Sequence, residues 1–142
     1  MNKQGPIVII EDDPEDQGVL KLAFSEMELP NEIVFFEEGE DAMRYMKKPN
    51  VFPFLVISDI NMPKLNGFEL RDRVQAEPGL AHKCIPYVFL STAVSKKAVD
   101  LAYSMCTQGY FVKPTGYSKL VSTLRNIVAY WQDCYSPARY AA

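Results

Sequence analysis

Five short apolar runs recur along this chain and constrain its fold more than any other feature of the sequence. Each run is continuously apolar, without the alternation expected of a strand that faces water on one side. Continuous runs rich in β-branched and aromatic residues are typical of strands buried on both faces, as in a parallel sheet. The predicted strands are Ile7–Ile10, Ile33–Phe36, Phe54–Ile57, Tyr87–Leu90 and Tyr110–Val112.

Segments with a helical spacing of apolar residues follow these strands. In the last segment Leu120, Leu124 and Trp131 fall on one helical face, the stripe that a helix buries against a core. The predicted helices are about Pro14–Met27, Glu38–Met46, Leu65–Ala76, Ser95–Met105 and Tyr117–Cys134. Repeated strand–helix alternation predicts right-handed crossovers with helices on both faces of a sheet. The expected fold class is α/β: a doubly wound, five-stranded parallel sheet of order 2-1-3-4-5, the flavodoxin-like (βα)5 three-layer sandwich.

Length and composition indicate one globular domain and argue against some classes of partner. The chain has 142 residues, 48% of them hydrophobic, and a net charge of −3, which suits a single core. Its basic residues form no cluster of the kind that binds a nucleic-acid backbone,. No apolar run is long enough to span a membrane,. We therefore expect neither nucleic acid nor membrane as a partner, and a domain over residues 1–134 followed by a short tail, 135–142.

The cysteines and the histidine do not form a catalytic or metal-binding pattern. Cys84, Cys106 and Cys134 are odd in number and widely spaced, which favours free thiols in a reducing cytoplasm over a disulfide framework. A Ser-His-Asp or Cys-His site would need His82, which lies in a connection flanked by Pro and Gly,. We expect His82 to be a surface residue and the protein to be cytoplasmic.

Polar residues directly follow four of the predicted strands. The first strand is followed by Glu11-Asp12-Asp13 and the third by Ser58-Asp59. The fourth is followed by Ser91-Thr92 and the fifth by Lys113. In the order 2-1-3-4-5 these strands are neighbours, and ligands bind such sheets beyond the carboxyl ends of the strands. Each residue alone could be a helix cap or a turn residue, but their coincidence predicts a shared site.

The chemistry expected at this edge follows from its charges. Carboxylates held close together repel each other, and a hard divalent cation such as Mg²⁺ relieves that cost by taking oxygen ligands. We expect Asp12 and Asp59 to bind Mg²⁺ directly and Glu11 to act through water. A carboxylate can also accept a phosphoryl group. The metal and Lys113 would then stabilise the phosphoryl oxygens, and Thr92 would hydrogen-bond to the attached group.

Five motifs lie at or near these strand ends. They are Ile9-Ile10-Glu11-Asp12-Asp13, Ser58-Asp59-Ile60-Asn61-Met62-Pro63, Asn66-Gly67, Leu90-Ser91-Thr92-Ala93 and Gly109-Tyr110-Phe111-Val112-Lys113-Pro114. Together they resemble the response-regulator receiver domains of two-component signalling. The resemblance covers almost the whole chain, about residues 6–131, and its motifs are specific as a set.

The resemblance implies a role for each residue around the metal. Glu11 and Asp12 would be the acidic pair, and Asp59 would be both a metal ligand and the phosphoacceptor. Asn61, two residues after Asp59, would give its backbone carbonyl to Mg²⁺. Lys113 would contact the phosphate, and the peptide bond that follows it, to Pro114, would be cis.

The resemblance also implies a switch. Thr92 would be the switch hydroxyl, and Tyr110 the switch aromatic that turns inward when Thr92 moves. For Tyr110 the alternative of an ordinary strand aromatic stays open, since β-propensity alone would allow it. Asp13 would cap the helix that starts at Pro14 rather than bind the metal.

By the same resemblance, a histidine kinase or a histidine phosphotransfer protein would supply the phosphoryl group, in a phosphorelay. The chain would be a signalling receiver rather than an enzyme, and an unidentified downstream protein would bind the face of the predicted fourth helix, fifth strand and fifth helix. It would be a stand-alone receiver without an output domain, broadly similar to those that partner phytochrome-type kinases. We expect Trp131 in the core. An interface role for Tyr135 and Tyr140, and a homodimer, are left open.

Three other functions share parts of this pattern. An aspartyl-phosphate hydrolase would need a second acid two residues after Asp59, where the chain has Asn61. A flavodoxin or nucleotide-binding domain would need a Gly-rich or Ser/Thr-rich loop after the first strand, where the acids of this chain would repel a phosphate. A pseudo-receiver keeps the fold without phosphorylation and would be expected to have lost a key residue, and none is missing here.

Overall fold

The five predicted strands all form, and they make one parallel sheet. The computed structural model describes residues 2–62, 64–92 and 94–135. Its strands are β1 (Ile7–Ile10), β2 (Ile33–Phe36), β3 (Leu55–Ser58), β4 (Tyr87–Ser91) and β5 (Gly109–Val112). Their order is β2-β1-β3-β4-β5, which confirms the predicted topology. The motif residues Pro63 and Ala93 lie outside the described residues, as does the predicted tail beyond Tyr135 with Tyr140.

Helices cover both faces of this sheet. Within the described residues they are α1 (Pro14–Met27), α2 (Gly39–Met46), α3 (Gly67–Ala76), α4 (Pro78–Ala81), α5 (Lys96–Ser104) and α6 (Tyr117–Asp133). Residues of α1 and α6 share the core on one face, and residues of α2, α3, α4 and α5 share the core on the other. Trp131 of α6 packs against the first of these cores, as predicted. The three-layer sandwich is therefore confirmed.

The central strands bury side chains on both faces, because successive residues of a strand point to opposite sides of the sheet. On β1, Ile7 and Ile9 belong to the core under α1 and α6, whereas Val8 and Ile10 belong to the opposite core. All four are at most 1% exposed. Full burial of such a side chain contributes about 1.5–3 kcal/mol. Burial on both faces is the physical reason that the apolar runs do not alternate with polar residues.

The start of α3 differs from the predicted one because a capping residue fixes it. The apolar pattern predicted a helix from Leu65, but the helix begins at Gly67. The Asn66 side chain accepts a hydrogen bond from the Glu69 backbone N–H, and the Glu69 side chain accepts one from the Asn66 backbone N–H. This reciprocal capping box satisfies two amides that lie before the first helical hydrogen bond. Leu65 therefore packs in the core from a loop rather than from the helix.

The short helix α4 was not predicted from the sequence. It begins at Pro78, whose fixed φ angle suits a first helical position, and the Glu77 side chain accepts a hydrogen bond from the Gly79 amide at 3.3 Å. A single turn is too short to produce a periodic apolar pattern. The residue that follows it, His82, is exposed, which confirms its prediction as a surface residue.

One expectation drawn from the resemblance is wrong. No peptide bond is cis among the described residues, so the Lys113–Pro114 bond is trans. The trans form is the one that an X–Pro bond prefers, by about 0.5–1 kcal/mol. The Lys113 amide donates to the Ser91 carbonyl at 2.9 Å, so the β4–β5 ladder continues up to this bond.

Cys84, Cys106 and Cys134 are all free thiols, as their spacing predicted. Across residues 2–62, 64–92 and 94–135, no helix combines the length and the apolar character needed to cross a lipid bilayer.

Candidate functional site

The ends of four neighbouring strands bring the predicted site residues to one edge of the sheet. Ile10 of β1 lies opposite Ser58 of β3, so the residues that follow both strands begin side by side. The Asp59 amide donates to the Ile10 carbonyl at 3.0 Å, which extends this pairing by one residue. Because the strands are parallel, Thr92 after β4 and Lys113 after β5 lie at the same edge.

The carboxylates of Glu11, Asp12 and Asp59 form one cluster. One oxygen from each lies within 4.8 Å of the other two. The Glu11 side chain is 2% exposed and the Asp59 side chain 12% exposed. Burial and the charge of Asp59, opposed by the hydrogen bond from Lys113, raise the pKa of Glu11 to about 7,. The acidic cluster predicted from the strand ends is therefore present.

Lys113 is the cation that lies among these acids. Its Nζ donates to Glu11 Oε1 and, at 3.0 Å, to Asp16 Oδ2, and it lies 3.6 Å from Asp59 Oδ2. Burial alone would lower the pKa of Lys113. The hydrogen bonds to Glu11 and Asp16 and the charge of Asp59 outweigh burial, and the pKa is raised. The one ammonium of Lys113 does not neutralise the carboxylates of the cluster together with Asp16, so the site remains negatively charged.

Asp16 is a site residue that the sequence analysis missed. It lies in the first turn of α1, where an acid is ordinarily explained by the helix dipole. Asp13 caps this helix as predicted, its Oδ1 accepting from the Glu15 amide at 2.9 Å. A helix that starts directly after the acidic pair places its first turn over the same sheet edge. That position was the available signal that Asp16 could reach Lys113.

Asp59 is held in place by its own loop. The Ile60 amide donates to Asp59 Oδ1 at 2.7 Å, and the other oxygen, Oδ2, faces Lys113. Ser58 Oγ donates to the Asp59 carbonyl at 2.7 Å. A Cβ at Gly67 would lie 2.2 Å from that same carbonyl oxygen, so the loop can lie here only because this residue is glycine. Gly67 thus shapes the site, a role that the sequence analysis did not assign.

The remaining predicted residues surround the cluster. Asn61 and Thr92 are exposed at this edge. Tyr110 is half-buried, its ring centre lies 6.1 Å from that of Phe89, and its hydroxyl interacts with the Ser91 side chain. The Tyr110 ring therefore already packs towards the core in this structure. Whether it moves together with Thr92 stays a prediction.

The donor set fits a divalent metal ion. All three groups of the cluster are carboxylates, and hard divalent cations prefer oxygen ligands. Glu11 has both oxygens engaged, Oε1 by Lys113 and Oε2 by the Asp13 amide at 3.3 Å. Asp59 is held less tightly, by the Ile60 amide at Oδ1 and by Lys113 at 3.6 Å from Oδ2. That Asp12 and Asp59 contact the metal directly stays a prediction.

Comparison with known proteins agrees with this geometry. The model of the family described as "Response regulator receiver domain" matches residues 7–125. The chain belongs to this receiver family. It is therefore a receiver of phosphorelay signalling, as the motifs predicted. A curated relative is the "Response regulator Rcp1" of Synechocystis, which is 24% identical over 89% of this chain and 88% of its own length. Another is the "Probable methanogenesis regulatory protein FilR2" of Methanothrix harundinacea, 26% identical over 88% of this chain and 82% of its own length.

Solved receiver structures are also similar to this one. The phosphorylated cyanobacterial phytochrome response regulator RcpA has a TM-score of 0.82 and 26% identity, covering 94% of this chain and 97% of its own. The Mn²⁺-bound form of Rcp1 has a TM-score of 0.78 at 23% identity over 93% of this chain and 97% of its own, a likeness that shows the fold. That receiver holds a divalent metal, and the acidic cluster here has a donor set that would suit one.

Proposed function

We propose that this receiver is a Mg²⁺-dependent switch that takes a phosphoryl group onto Asp59. The observation that supports this most directly is the meeting of three carboxylates within 4.8 Å, with the Lys113 ammonium 3.6 Å from Asp59 Oδ2. A nucleophilic acid, a place for a dication and a fixed cation are the parts that phosphoryl transfer requires.

In the proposed reaction the donor is a phosphohistidine of a sensor histidine kinase or of a histidine phosphotransfer protein. A carboxylate oxygen of Asp59 attacks the phosphorus, a P–O bond forms and the P–N bond of the donor breaks. The imidazole keeps that electron pair and takes up a proton. The protein assists this transfer to itself. In dephosphorylation water attacks the phosphorus, the bond from phosphorus to the Asp59 oxygen breaks, and inorganic phosphate leaves. We propose that the protein acts on no other substrate.

Each residue of the site has a defined task in this proposal. Asp12, Asp59 and the carbonyl of Asn61 would hold Mg²⁺, with Glu11 acting through water. When bound, Mg²⁺ supplies positive charge next to the phosphoryl oxygens. Lys113, which already bridges to Asp59, neutralises the remaining oxygen charge. The contact of Lys113 with Glu11 holds the positive charge of Lys113 next to Asp59 before the phosphoryl group is transferred.

The signal would leave through the face formed by α5, β5 and α6. Phosphorylation adds charge and acceptor oxygens, towards which Thr92 and Lys113 are drawn, and Tyr110 takes up the space that Thr92 leaves. A switch from mostly off to mostly on takes about 5.5 kcal/mol, which a few charge-assisted hydrogen bonds of about 1.5–3 kcal/mol each can supply. The elements of this face expose the apolar residues Leu101 and Val112, which suits the apolar centre of an interface with a downstream protein.

The similarity to RcpA supports a histidine kinase of phytochrome signalling as one candidate donor. FilR2 is named for methanogenesis, so receivers of similar sequence serve different stimuli. We therefore propose a phosphohistidine protein as the class of donor and a cytoplasmic location, where histidine kinases present their phosphohistidine.

Mass spectrometry after incubation with acetyl phosphate and Mg²⁺ tests the acceptor. We expect the parent protein to gain one phosphoryl group and Asp59→Asn to gain none, because the amide is a poor nucleophile of the same shape. The matched control is Asp72→Asn, which changes an exposed acid on α3 and should leave the uptake unchanged. A chelator should abolish uptake by the parent.

Three outcomes would overturn this assignment. Uptake by Asp59→Asn would show that another residue is the acceptor. A folded parent that takes up no phosphoryl group from any donor would be a pseudo-receiver. Steady turnover of a phosphate ester would indicate a hydrolase.

A further inference from the structure

Buried polar groups lie between Asp59 and the far end of α5. Ser58 and Tyr87 have 0% of their surface exposed, and Arg71 has 5%. Burying a polar group costs free energy unless the group is hydrogen-bonded, and apolar side chains could fill the same space. Packing alone therefore does not account for three polar side chains in this core.

The Tyr87 phenol contacts the loop that holds Asp59. Its hydroxyl donates to the Gly67 carbonyl at 3.3 Å and lies beside the Ser58 side chain. Ser58 in turn donates to the Asp59 carbonyl, and the Gly67 amide donates to the Ile60 carbonyl at 2.9 Å. The first turn of α3 is thus joined to the loop that holds Asp59 through both the amide and the carbonyl of Gly67.

Arg71 extends this connection to the end of α5. It follows Gly67 by four residues on α3 and so lies about one turn further along the same face. Its guanidinium lies 5.4 Å from the centre of the Tyr87 ring, within the range of a cation–π contact. Nη2 donates to the Cys106 carbonyl at 2.7 Å and Nε to the Met105 carbonyl at 3.3 Å.

The turn that Arg71 binds is under backbone strain. Cys106 has a φ of 56°, the left-handed region that costs a residue with a Cβ about 1–2 kcal/mol. The Cys106 amide donates to the Tyr103 carbonyl at 3.1 Å, which closes the last turn of α5. The same helix exposes Leu101 on the proposed output face. A shift of this turn would therefore move part of that face.

We propose that Tyr87 and Arg71 are positioning residues that couple the state of Asp59 to the turn after α5. The inference rests on the proposed function, because it needs a group that attaches to Asp59. Such a group shifts the backbone of Asp59 and Ile60, and that backbone already lies against Gly67 without room for a Cβ. The first turn of α3 must follow, Arg71 moves with the helix, and the carbonyls of the turn move with Arg71.

This connection is separate from the predicted switch at the beginning of α5. Thr92 and Tyr110 act near Ser95, which caps the first turn of α5. Arg71 acts at the last turn. The helix would then be held at both ends by groups that respond to Asp59, and loss of either contact would leave one end uncoupled.

Amide hydrogen exchange of residues 105–107, with and without beryllofluoride and Mg²⁺, tests the coupling. These amides are hydrogen-bonded to carbonyls of α5 and report directly on the turn. Loading of Asp59 is measured separately by ¹⁹F NMR of the bound beryllofluoride. Tyr87→Phe removes one hydroxyl and keeps the ring, and Arg71→Met removes the guanidinium and keeps the stem. Tyr103→Phe is the matched control, because it removes an exposed hydroxyl from α5 itself.

In the parent we expect loading to change the exchange rates of the turn by about fivefold or more, the lower end of ordinary allosteric coupling. In Tyr87→Phe and in Arg71→Met, loading should still occur but the change should fall below about twofold. Tyr103→Phe should behave as the parent does. Each variant is compared with itself, loaded against free, so that an effect of lower stability on the exchange rates of both forms cancels. If Tyr87→Phe does not fold, the result for Arg71→Met decides alone.

Failure of this inference differs from failure of the proposed function. Suppose that the parent binds beryllofluoride and that its turn changes exchange rate. If both variants then show a change as large as that of the parent, the coupling through Tyr87 and Arg71 is wrong and the receiver function stands. If the parent loads and the turn does not respond at all, the coupling is also wrong. If the parent neither loads nor takes up a phosphoryl group, the proposed function fails and this inference fails with it.

Discussion

Two buried lysines at different places in the fold are held in opposite ways. Lys113, at the carboxyl edge of the sheet, lies among carboxylates, which outweigh the effect of burial and raise its pKa. Lys83 precedes β4 at the other edge, and burial lowers its pKa. Its Nζ donates to backbone carbonyls at 2.7, 2.9 and 2.6 Å, those of Met46, Lys48 and Val51.

The difference separates a lysine that fixes structure from one that the proposed function uses beside Asp59. Backbone carbonyls cannot leave Lys83 without moving the chain, so this lysine ties the α2–β3 connection to the α4–β4 connection in one geometry. The partners of Lys113 are side chains that can turn to a metal or a phosphoryl group instead. A buried lysine is thus a structural tie or a movable charge, depending on whether its partners are backbone or side chain.

Removing Lys83 is expected to give the largest effect on stability. Lys83→Met keeps the apolar stem but leaves three carbonyls without their charged donor, so the free energy of unfolding should fall by roughly 3 kcal/mol. Urea unfolding measures this change. Phosphoryl uptake by the folded variant should equal that of the parent, because Lys83 is far from Asp59 along the sheet.

Lys97→Met is the matched control for this variant, since Lys97 is an exposed residue of α5. It should change the stability by less than about 0.5 kcal/mol. A stability loss below about 0.5 kcal/mol in Lys83→Met would contradict the structural role of Lys83. A loss of phosphoryl uptake by fully folded Lys83→Met would contradict it as well.

Removing Lys113 should affect stability less and metal binding more. Lys113→Met takes away a positive charge 3.6 Å from Asp59 Oδ2, so the affinity for Mg²⁺ should rise by about tenfold, ~1.4 kcal/mol. Stability falls little because Glu11, once unpaired, can take up a proton instead of remaining a buried charge. Calorimetric titration with Mg²⁺ measures the affinity. Lys119→Met, an exposed position of α6, is the control, and unchanged or weaker Mg²⁺ binding in Lys113→Met would refute the view that this ammonium competes with the metal.

The sheet and the acidic cluster could be predicted because both follow from strand patterns. Continuous apolar runs marked the strands, and polar residues directly after them marked one edge. Parallel pairing then brings Glu11, Asp12 and Asp59 together whatever the connecting helices contain, and the cluster forms as expected. Lys113 was predictable for the same reason, since it follows β5 directly.

The parts that were missed depend on contacts between residues distant in the sequence. The phenol of Tyr87 has its partner Gly67 twenty residues earlier, and a tyrosine in an apolar strand has no feature that reveals a buried hydrogen bond. Lys83 binds carbonyls 32 to 37 residues away and looks like any loop lysine. The Lys113–Pro114 bond was expected to be cis from the resemblance alone, and it is trans.

The smallest predicted effect concerns the proton on Glu11 and sharpens the contrast between the two lysines. Burial raises the pKa of Glu11 to about 7 in the absence of metal, so its carboxyl group is partly protonated near neutral pH. Raising the pH removes this proton and adds negative charge beside the metal position. The apparent affinity for Mg²⁺ should therefore rise by a few-fold between about pH 6 and about pH 8, below the tenfold limit for one competing proton.

Glu11→Gln separates this proton from every other titrating group. Glutamine has the shape of the protonated acid and cannot ionise, so its Mg²⁺ affinity should be weaker than that of the parent and flat over the same pH range. Lys83→Met, by contrast, should keep the parent's slope, because Lys83 is held by backbone carbonyls and has no part in the charge balance of the acidic cluster. If the Mg²⁺ affinity of Glu11→Gln still rises with pH as that of the parent does, a different acid titrates in this range. The charge of Lys113 is then not offset by Glu11 in the way that their contact indicates.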